Sequence, residues 1–329
     1  MNNNNYLFYR KYFDFEKSNL SRQDCINEIL EFNNDLNQQE LKYLDSELSR
    51  IDNNGKLIKR RNIENLKYIN KSILNSSLVE IDISDCSNTN INLKTTYPGL
   101  LLGTGYSHDY KAGTDDEVTQ EGFKIGFYFD FTTGMPIIPG SSIKGVLRSC
   151  FPQRVISSKN GNHKKPKYSA EKEEFIKQEL KTLGIVDEID IDRLEREIFD
   201  GLRPKKDNEG NIIKDENGKI IYNPFPIYKR DVFLEAIPVV ISNNKNKLFE
   251  DDALAVHKEN LLKNPTPIKF LKVAPNVEYQ FHFRLFKSEI YPTVTETIKR
   301  KLFEKLILYY GIGAKTNVGY GQFEAAREV

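Results

Sequence analysis

The spacing of apolar positions divides the chain into a helical beginning and a longer stretch of mixed α and β character. In residues 1–75, apolar residues recur at helical intervals. Cys25, Ile26, Ile29, Leu30 and Phe32 predict one helix, with Ser21 as candidate N-cap. Leu41, Leu44 and Leu48 predict a second, and Leu66, Ile69 and Ile73 a third. This extension, taken as residues 1–90, either packs on the remainder or offers a surface to a partner.

From about Leu78 the pattern turns to β. Thr95–Tyr106 (TTYPGLLLGTGY) is an apolar run closing on glycines, and Phe123, Ile125, Phe127, Phe129 and Phe131 alternate on one side. After Pro139-Gly140, positions Ile143, Val146, Leu147 and Cys150 return to helical spacing. Ser141 or Ser142 can cap a helix beginning near Ile143. Gly145 inside it costs about 1 kcal/mol relative to alanine, which a close approach by another backbone would explain. Residues 170–200 read as charged helix, and Asn211–Tyr222 as a β-hairpin around Asn217-Gly218. Strands follow at Asp231–Ile241 and Val277–Phe286, with an extended segment at Leu262–Pro275 between them. In Val277–Phe286, Val277, Tyr279, Phe281, Phe283 and Leu285 face one way; Glu278, Gln280, His282 and Arg284 face the other. Thr293–Glu296 (TVTE) has the form of a capping box, opening a helix striped by Ile298, Leu302, Leu306 and Tyr310. The order strand, helix, strand, strand, helix, strand predicts an α+β, ferredoxin-like (RRM-like) domain over residues 91–329, with insertions at about 155–225. One face of its sheet is expected under helices and the other free.

Composition narrows the class. The chain has 329 residues, 39% of them hydrophobic, and no apolar run of membrane-spanning length. The first residues lack the apolar core of a signal peptide. Its 3 cysteines (Cys25, Cys86, Cys150) lie far apart without a CxxC, which argues against a disulfide framework or structural zinc and suits a reducing cytoplasm. Net charge is only +1, yet the distribution is uneven. No Asp or Glu occurs from Phe131 to Ala170, where Lys144, Arg148, Arg154, Lys159, Lys164, Lys165 and Lys167 cluster. Local positive potential of this kind serves a polyanion even in a neutral chain.

The other candidate element is Tyr309–Phe323, YYGIGAKTNVGYGQF. Gly311 and Gly313, then Gly319 and Gly321, frame a tip carrying Lys315, Thr316 and Asn317. Glycines permit positive φ and close backbone approach, so this loop is a plausible phosphate cradle. It is not a P-loop, because Ala314 precedes Lys315 and no helix follows.

PGSSIKGVLRS at Pro139–Ser149 and GIGAKTNVGYGQF at Gly311–Phe323, in that order, resemble signature elements of the RAMP superfamily of CRISPR proteins. LLLGTG at Leu100–Gly105 is similar to that family's glycine-bearing first strand. Within the superfamily, the chain resembles the sixth-subunit branch of type III-B (Cmr) effector complexes. The resemblance covers most of residues 95–329. It implies a non-catalytic, cytoplasmic subunit that binds CRISPR guide RNA near its 3′ end, in antiviral defence. Its implied partners are other Cmr-complex RAMP subunits and, through the guide, target RNA, with no membrane, no cofactor and no metal. By motif, Ser141, Ser142, Lys144 and Arg148 would hold the guide backbone from the helix. Gly311, Gly313, Lys315, Thr316, Asn317, Gly319 and Gly321 would do so from the loop. Tyr320 can stack on a base or pack internally.

An endoribonuclease, processing guide precursor or cleaving target, is the alternative. Metal-free cleavage needs a general base, for which His108 is the candidate. Metal-dependent cleavage needs clustered carboxylates, and Asp109, Asp115 and Asp116 lie in the adjacent polar stretch. His163, His257 and His282 lack metal-ligand spacing.

Overall fold

The structure, a computed structural model, describes residues 3–4, 67, 69–103, 123, 127–152, 169–243, 247–256 and 266–326. The first two expected helices, the candidates His108, Asp109, Asp115 and Asp116, and the basic stretch 157–167 lie outside the described residues; of the third, residues 69–74 are helical, with Ile69 and Ile73 buried. The chain divides into two compact units, each assembled from distant segments.

The first unit comprises Met1–Val79, Tyr97–Ile137 and Val240–Val277. Its ladder is antiparallel: β5 (Phe249–Val256) on β6 (Thr266–Val273), from Phe249 opposite Val273 to Val256 opposite Thr266. Leu100 bridges to Val273, and Leu100, Leu101 and Leu102 are buried. The LLLGTG run is therefore not a strand over its described residues; apart from that bridge it is an irregular core segment. Phe127, Phe129 and Phe249 stack within 4.9–5.9 Å of one another. Phe131, expected on the same side, is instead 84% exposed, because the chain turns at residues 131–133. The Asn3 and Asn4 amides brace that turn by donating to the Phe131, Thr132 and Gly134 carbonyls.

The second unit comprises Glu80–Thr96, Ile138–Val239 and Glu278–Val329. Its four-stranded sheet has the order β4-β7-β1-β8, from β1 (Thr89–Thr95), β4 (Val232–Ile241), β7 (Val277–Arg284) and β8 (Phe323–Ala325). β1 pairs antiparallel with β7, Leu93 opposite Tyr279, and with β8, Thr95 opposite Phe323. Between β1 and β4 come α1 (Gly140–Ser149), α2 (Ala170–Thr182) and α3 (Ile191–Glu195). α3 runs into a π-helical turn, Arg196–Asp200. α4 (Glu296–Tyr310) joins β7 to the glycine loop and β8.

The core forms where the expected alternation of β7 meets helix stripes. Ring contacts link Phe233 of β4 and Phe283 of β7 to Phe303 of α4 at 5.6–5.9 Å. Phe283 and Phe303 are fully buried, contributing about 1.5–3 kcal/mol each, and Phe233 is half-buried. The opposite register of β7 stays more open, with one exception. His282 is 3% exposed; its Nδ1 lies 3.3 Å from Ser87 Oγ, and Nε2 has no hydrogen-bond partner among the described residues. Burial pulls its pKa below the usual imidazole range, against Asp82 and Glu235.

Thr295, not Thr293, caps α4, accepting from the Ile298 N–H at 3.3 Å, while the Thr293 hydroxyl donates to Asp187. The expected hairpin at 211–222 is part of a tandem repeat: Lys206–Ile213 reads KDNEGNII and Lys214–Ile221 reads KDENGKII. In each copy the Asp accepts two backbone N–H groups of its own turn, Asp207 from Glu209 and Asn211, Asp215 from Asn217 and Lys219. The bridges Lys206–Ile212 and Lys214–Ile220 close the two turns. They stand on the short ladder β2 (Leu202–Pro204) with β3 (Tyr222–Pro224).

Candidate nucleic-acid interface

α1 begins at Gly140, earlier than expected. Its N-cap is Pro139, in extended conformation and without a side-chain cap. Ser141 and Ser142 therefore do not cap; they are exposed hydroxyls on the first turn. An early start is possible because Gly140 has no side chain: a Cβ there would collide with the Phe233 carbonyl of β4. The close approach attributed to Gly145 belongs to Gly140. Gly145 is exposed, and a Cβ there would meet nothing within 4 Å.

Ile143, Leu147 and Cys150 are buried beneath α1, as the spacing required. Burial pushes the Cys150 thiol up to about 11, so it stays neutral. Lys144 and Arg148 differ in their surroundings. The Lys144 ammonium lies 5.8 Å from the Phe233 ring centroid. The Arg148 guanidinium is engaged: Nε lies 2.8 Å from Glu195 and Nη1 3.0 Å from Asp200. The stretch that is acid-free in sequence is thus not acid-free in space, because folding brings α3 and the π turn against α1. The sequence signal for this is the density of Asp and Glu from Glu171 to Asp200.

The glycine loop is held in an unusual backbone. Gly311, Gly313, Gly319 and Gly321 all have positive φ, and so does Lys315, at 60°. For a residue with a Cβ this costs about 1–2 kcal/mol. The loop is tied at its base by the Ile312 N–H donating to the Gly321 carbonyl at 2.8 Å. Gln322 Nε2 donates to the Thr316 carbonyl, and the Gln322 carbonyl accepts from the N–H and hydroxyl of Thr96. A Cβ on Gly311 would lie 2.6 Å from the Gly321 oxygen, so the crossing of the two loop arms requires glycine. Lys315 and Asn317 point out at an exposed tip, and Thr316 is half-buried. Tyr320 is only 8% exposed; it packs and offers no open face for a base. The exposed aromatic neighbours are instead Tyr309 (67%) and Tyr310 (36%), at the end of α4. The apolar spacing puts Tyr310 in the stripe of α4, with Tyr309 at the head of the glycine segment.

The two candidate groups are linked through their helices. α1 packs against α4, and Cys150 at the end of α1 lies close enough to Tyr310 to raise its pKa, second to burial. Ser141, Ser142 and Lys144 sit at the other end of α1.

A family model described as the RAMP superfamily matches residues 92–324, from β1 through β8. The chain belongs to the RAMP superfamily. The RAMP region thus takes in both candidate elements and residues of all four strands of the sheet. A comparison with curated proteins found no match. Among solved structures, a chain of the type III-B Cmr-beta complex bound to cognate target RNA, determined by cryo-electron microscopy, is similar at 18% identity. That match covers 99% of this chain and 95% of the other, with a TM-score of 0.45. Cmr6 from Pyrococcus furiosus is also similar at 18% identity, over 72% of this RAMP chain and 97% of its own, with a TM-score of 0.36. No described helix is long and apolar enough to cross a membrane.

Proposed function

We propose that this RAMP chain is a non-catalytic guide-RNA-binding subunit of a type III-B (Cmr) effector complex, acting near the 3′ end of the guide. The observation that carries the reading is the glycine loop: five residues of left-handed or related backbone, tied at the base, present Lys315, Thr316 and Asn317 without a carboxylate between Lys305 and Phe323. Such a loop suits phosphates of any sequence. Ser141, Ser142 and Lys144 extend the surface along α1, while Arg148 reaches a phosphate only by leaving Glu195 and Asp200. The element order of the second unit and its strand order support a ferredoxin-like arrangement, with β1 and β7 in the middle. The remaining partners are other Cmr-complex subunits and, through the guide, target RNA.

Tagged chain isolated from its native host should carry repeat-derived guide RNA and further RAMP subunits. Lys144→Ala and Lys315→Ala should reduce the retained RNA while the fold is kept. RNA-free, partner-free protein would count decisively against the reading. Pure chain incubated with precursor or target RNA, with and without Mg²⁺, should leave both intact. Cleavage abolished by His108→Ala or Asp109→Ala would replace this reading with an endoribonuclease.

A further inference from the structure

Three aromatic rings meet at the end of α4, beside the glycine loop. Tyr309 and Tyr310 lie 5.0 Å apart at 65°, and Phe175 of α2 contacts both, at 5.2 Å and 6.0 Å. Phe175 is half-buried, and Tyr309 is left 67% exposed. A helix stripe that only served the core would bury this position, as it buries Leu302, Leu306 and Ile307.

We propose that Tyr309, braced by Phe175 and Tyr310, is a stacking platform for an unpaired RNA base whose phosphate is held by the glycine loop. This rests on the RNA-binding reading of the loop and assigns the base-contacting role to Tyr309 in place of the buried Tyr320. The division of labour follows from local charge. The C-terminal end of α4 is the negative pole of that helix and does not favour a phosphate, but a neutral base is indifferent to it. On the α2 side, Glu171 and Glu174 are exposed and repel phosphate, whereas Glu173 and Glu179 are paired with Lys177 and Lys305. The backbone therefore runs over the Lys315 tip, whose own segment carries no carboxylate from Leu306 to Gln322, and the base turns inward to the tyrosine. Stacking accepts every base, because each has a π-face, which suits a subunit that must hold any guide.

The test uses the full chain and two fluorescent strands of equal length, a short oligoadenylate and the same backbone with abasic sites. Tyr309→Ala should weaken oligoadenylate binding about tenfold and leave the abasic strand unchanged; Tyr309→Phe should bind as the parent does. Lys315→Ala should weaken both strands, since it acts on phosphate. If Lys315→Ala weakens both but Tyr309→Ala weakens neither, the stacking platform is wrong and the loop reading survives. If Lys315→Ala changes nothing, or the parent binds neither strand, the RNA reading of the loop fails, and this proposal with it. Loss of partner subunits rather than RNA from the Tyr309→Ala complex would make the patch a protein contact and overturn the proposal.

Discussion

Replacing Lys299 by methionine tests the energetics of the second unit most directly. Lys299 Nζ lies 2.5 Å from Asp231 Oδ2, and the two side chains are 2% and 3% exposed. Asp231 also accepts the Phe286 N–H at 2.8 Å, so it anchors the chain leaving β7. Nearby, Glu197 accepts from the Ser288 hydroxyl and the Glu289 N–H. Burial raises the pKa of both carboxyls, and Lys299 opposes the rise at both. Methionine keeps the volume and removes the cation, leaving a buried charge uncompensated, which costs about 3–5 kcal/mol. For a unit of this size that is a fall in midpoint temperature of roughly 6–20 °C. The sign of the pH dependence follows. A carboxyl whose folded pKa is raised contributes stability below its unfolded value, and loses it as pH rises through the folded value. Without Lys299 both folded values rise further, so the variant's deficit should be small near pH ~4 and widen toward neutrality. Urea unfolding at about pH 5 and about pH 7.5 reads this directly. The double variant Lys299→Met, Asp231→Asn removes both charges and keeps an acceptor for the Phe286 N–H, so it should regain part of the loss. A deficit below about 1 kcal/mol, or one that is the same at both pH values, would refute the reasoning.

Three further outcomes are expected. Gly140→Ala should destabilise by about 1–3 kcal/mol through collision with the Phe233 backbone; Gly145→Ala, in open space on the same helix, should stabilise by about 0.5–1 kcal/mol, and thermal unfolding of the two variants separates the sites. Arg148→Ala should lower stability by about 1–3 kcal/mol, because the buried Glu195 carboxylate loses its 2.8 Å contact with the guanidinium, whereas Lys144→Ala should leave the melting temperature within experimental scatter. The depressed pKa of His282 means that stability present above the unfolded imidazole value is lost as pH falls below about 6.5; His282→Gln should flatten that part of the profile, and an unchanged slope would assign it to other groups.

Much of the second unit was legible because its signals are local. The alternation in β7 and the stripes of α1 and α4 each declare a buried face within one element. The helix leading into the glycine loop and the strand leaving it could be placed for the same reason. What pattern cannot show is which distant residues meet. The pairing of Arg148 with Glu195 and Asp200 joins segments whose opposite charge reads, along the chain, as separation. The same holds for the way residues 97–137 fold with 240–277 in the first unit. Capping failed at both helices for a related reason. Thr293 and Thr295 both have side chains suited to capping, whereas α1 begins after Pro139 without a side-chain cap, where Gly140 can approach the Phe233 carbonyl. Of the two readings open for Tyr320, packing holds, because it lies inside the crossing of the loop arms, whereas Tyr309, past the last buried turn of α4, is exposed.

The tandem repeat at Lys206–Ile221 has a consequence for how this insertion can change. Each copy closes on itself through its own aspartate and its own bridge. The Lys205 N–H donates to the Ile221 carbonyl, continuing the ladder of β2 and β3 beneath both copies. Excising Lys206–Ile213 would join Lys205 directly to the second copy, whose Lys214–Ile220 bridge already has the geometry that the first copy supplies at Lys206–Ile212. The insertion is thus built in quanta: it can shrink or grow by whole turns while the strands that carry it keep their register, so its reach is adjustable independently of the sheet.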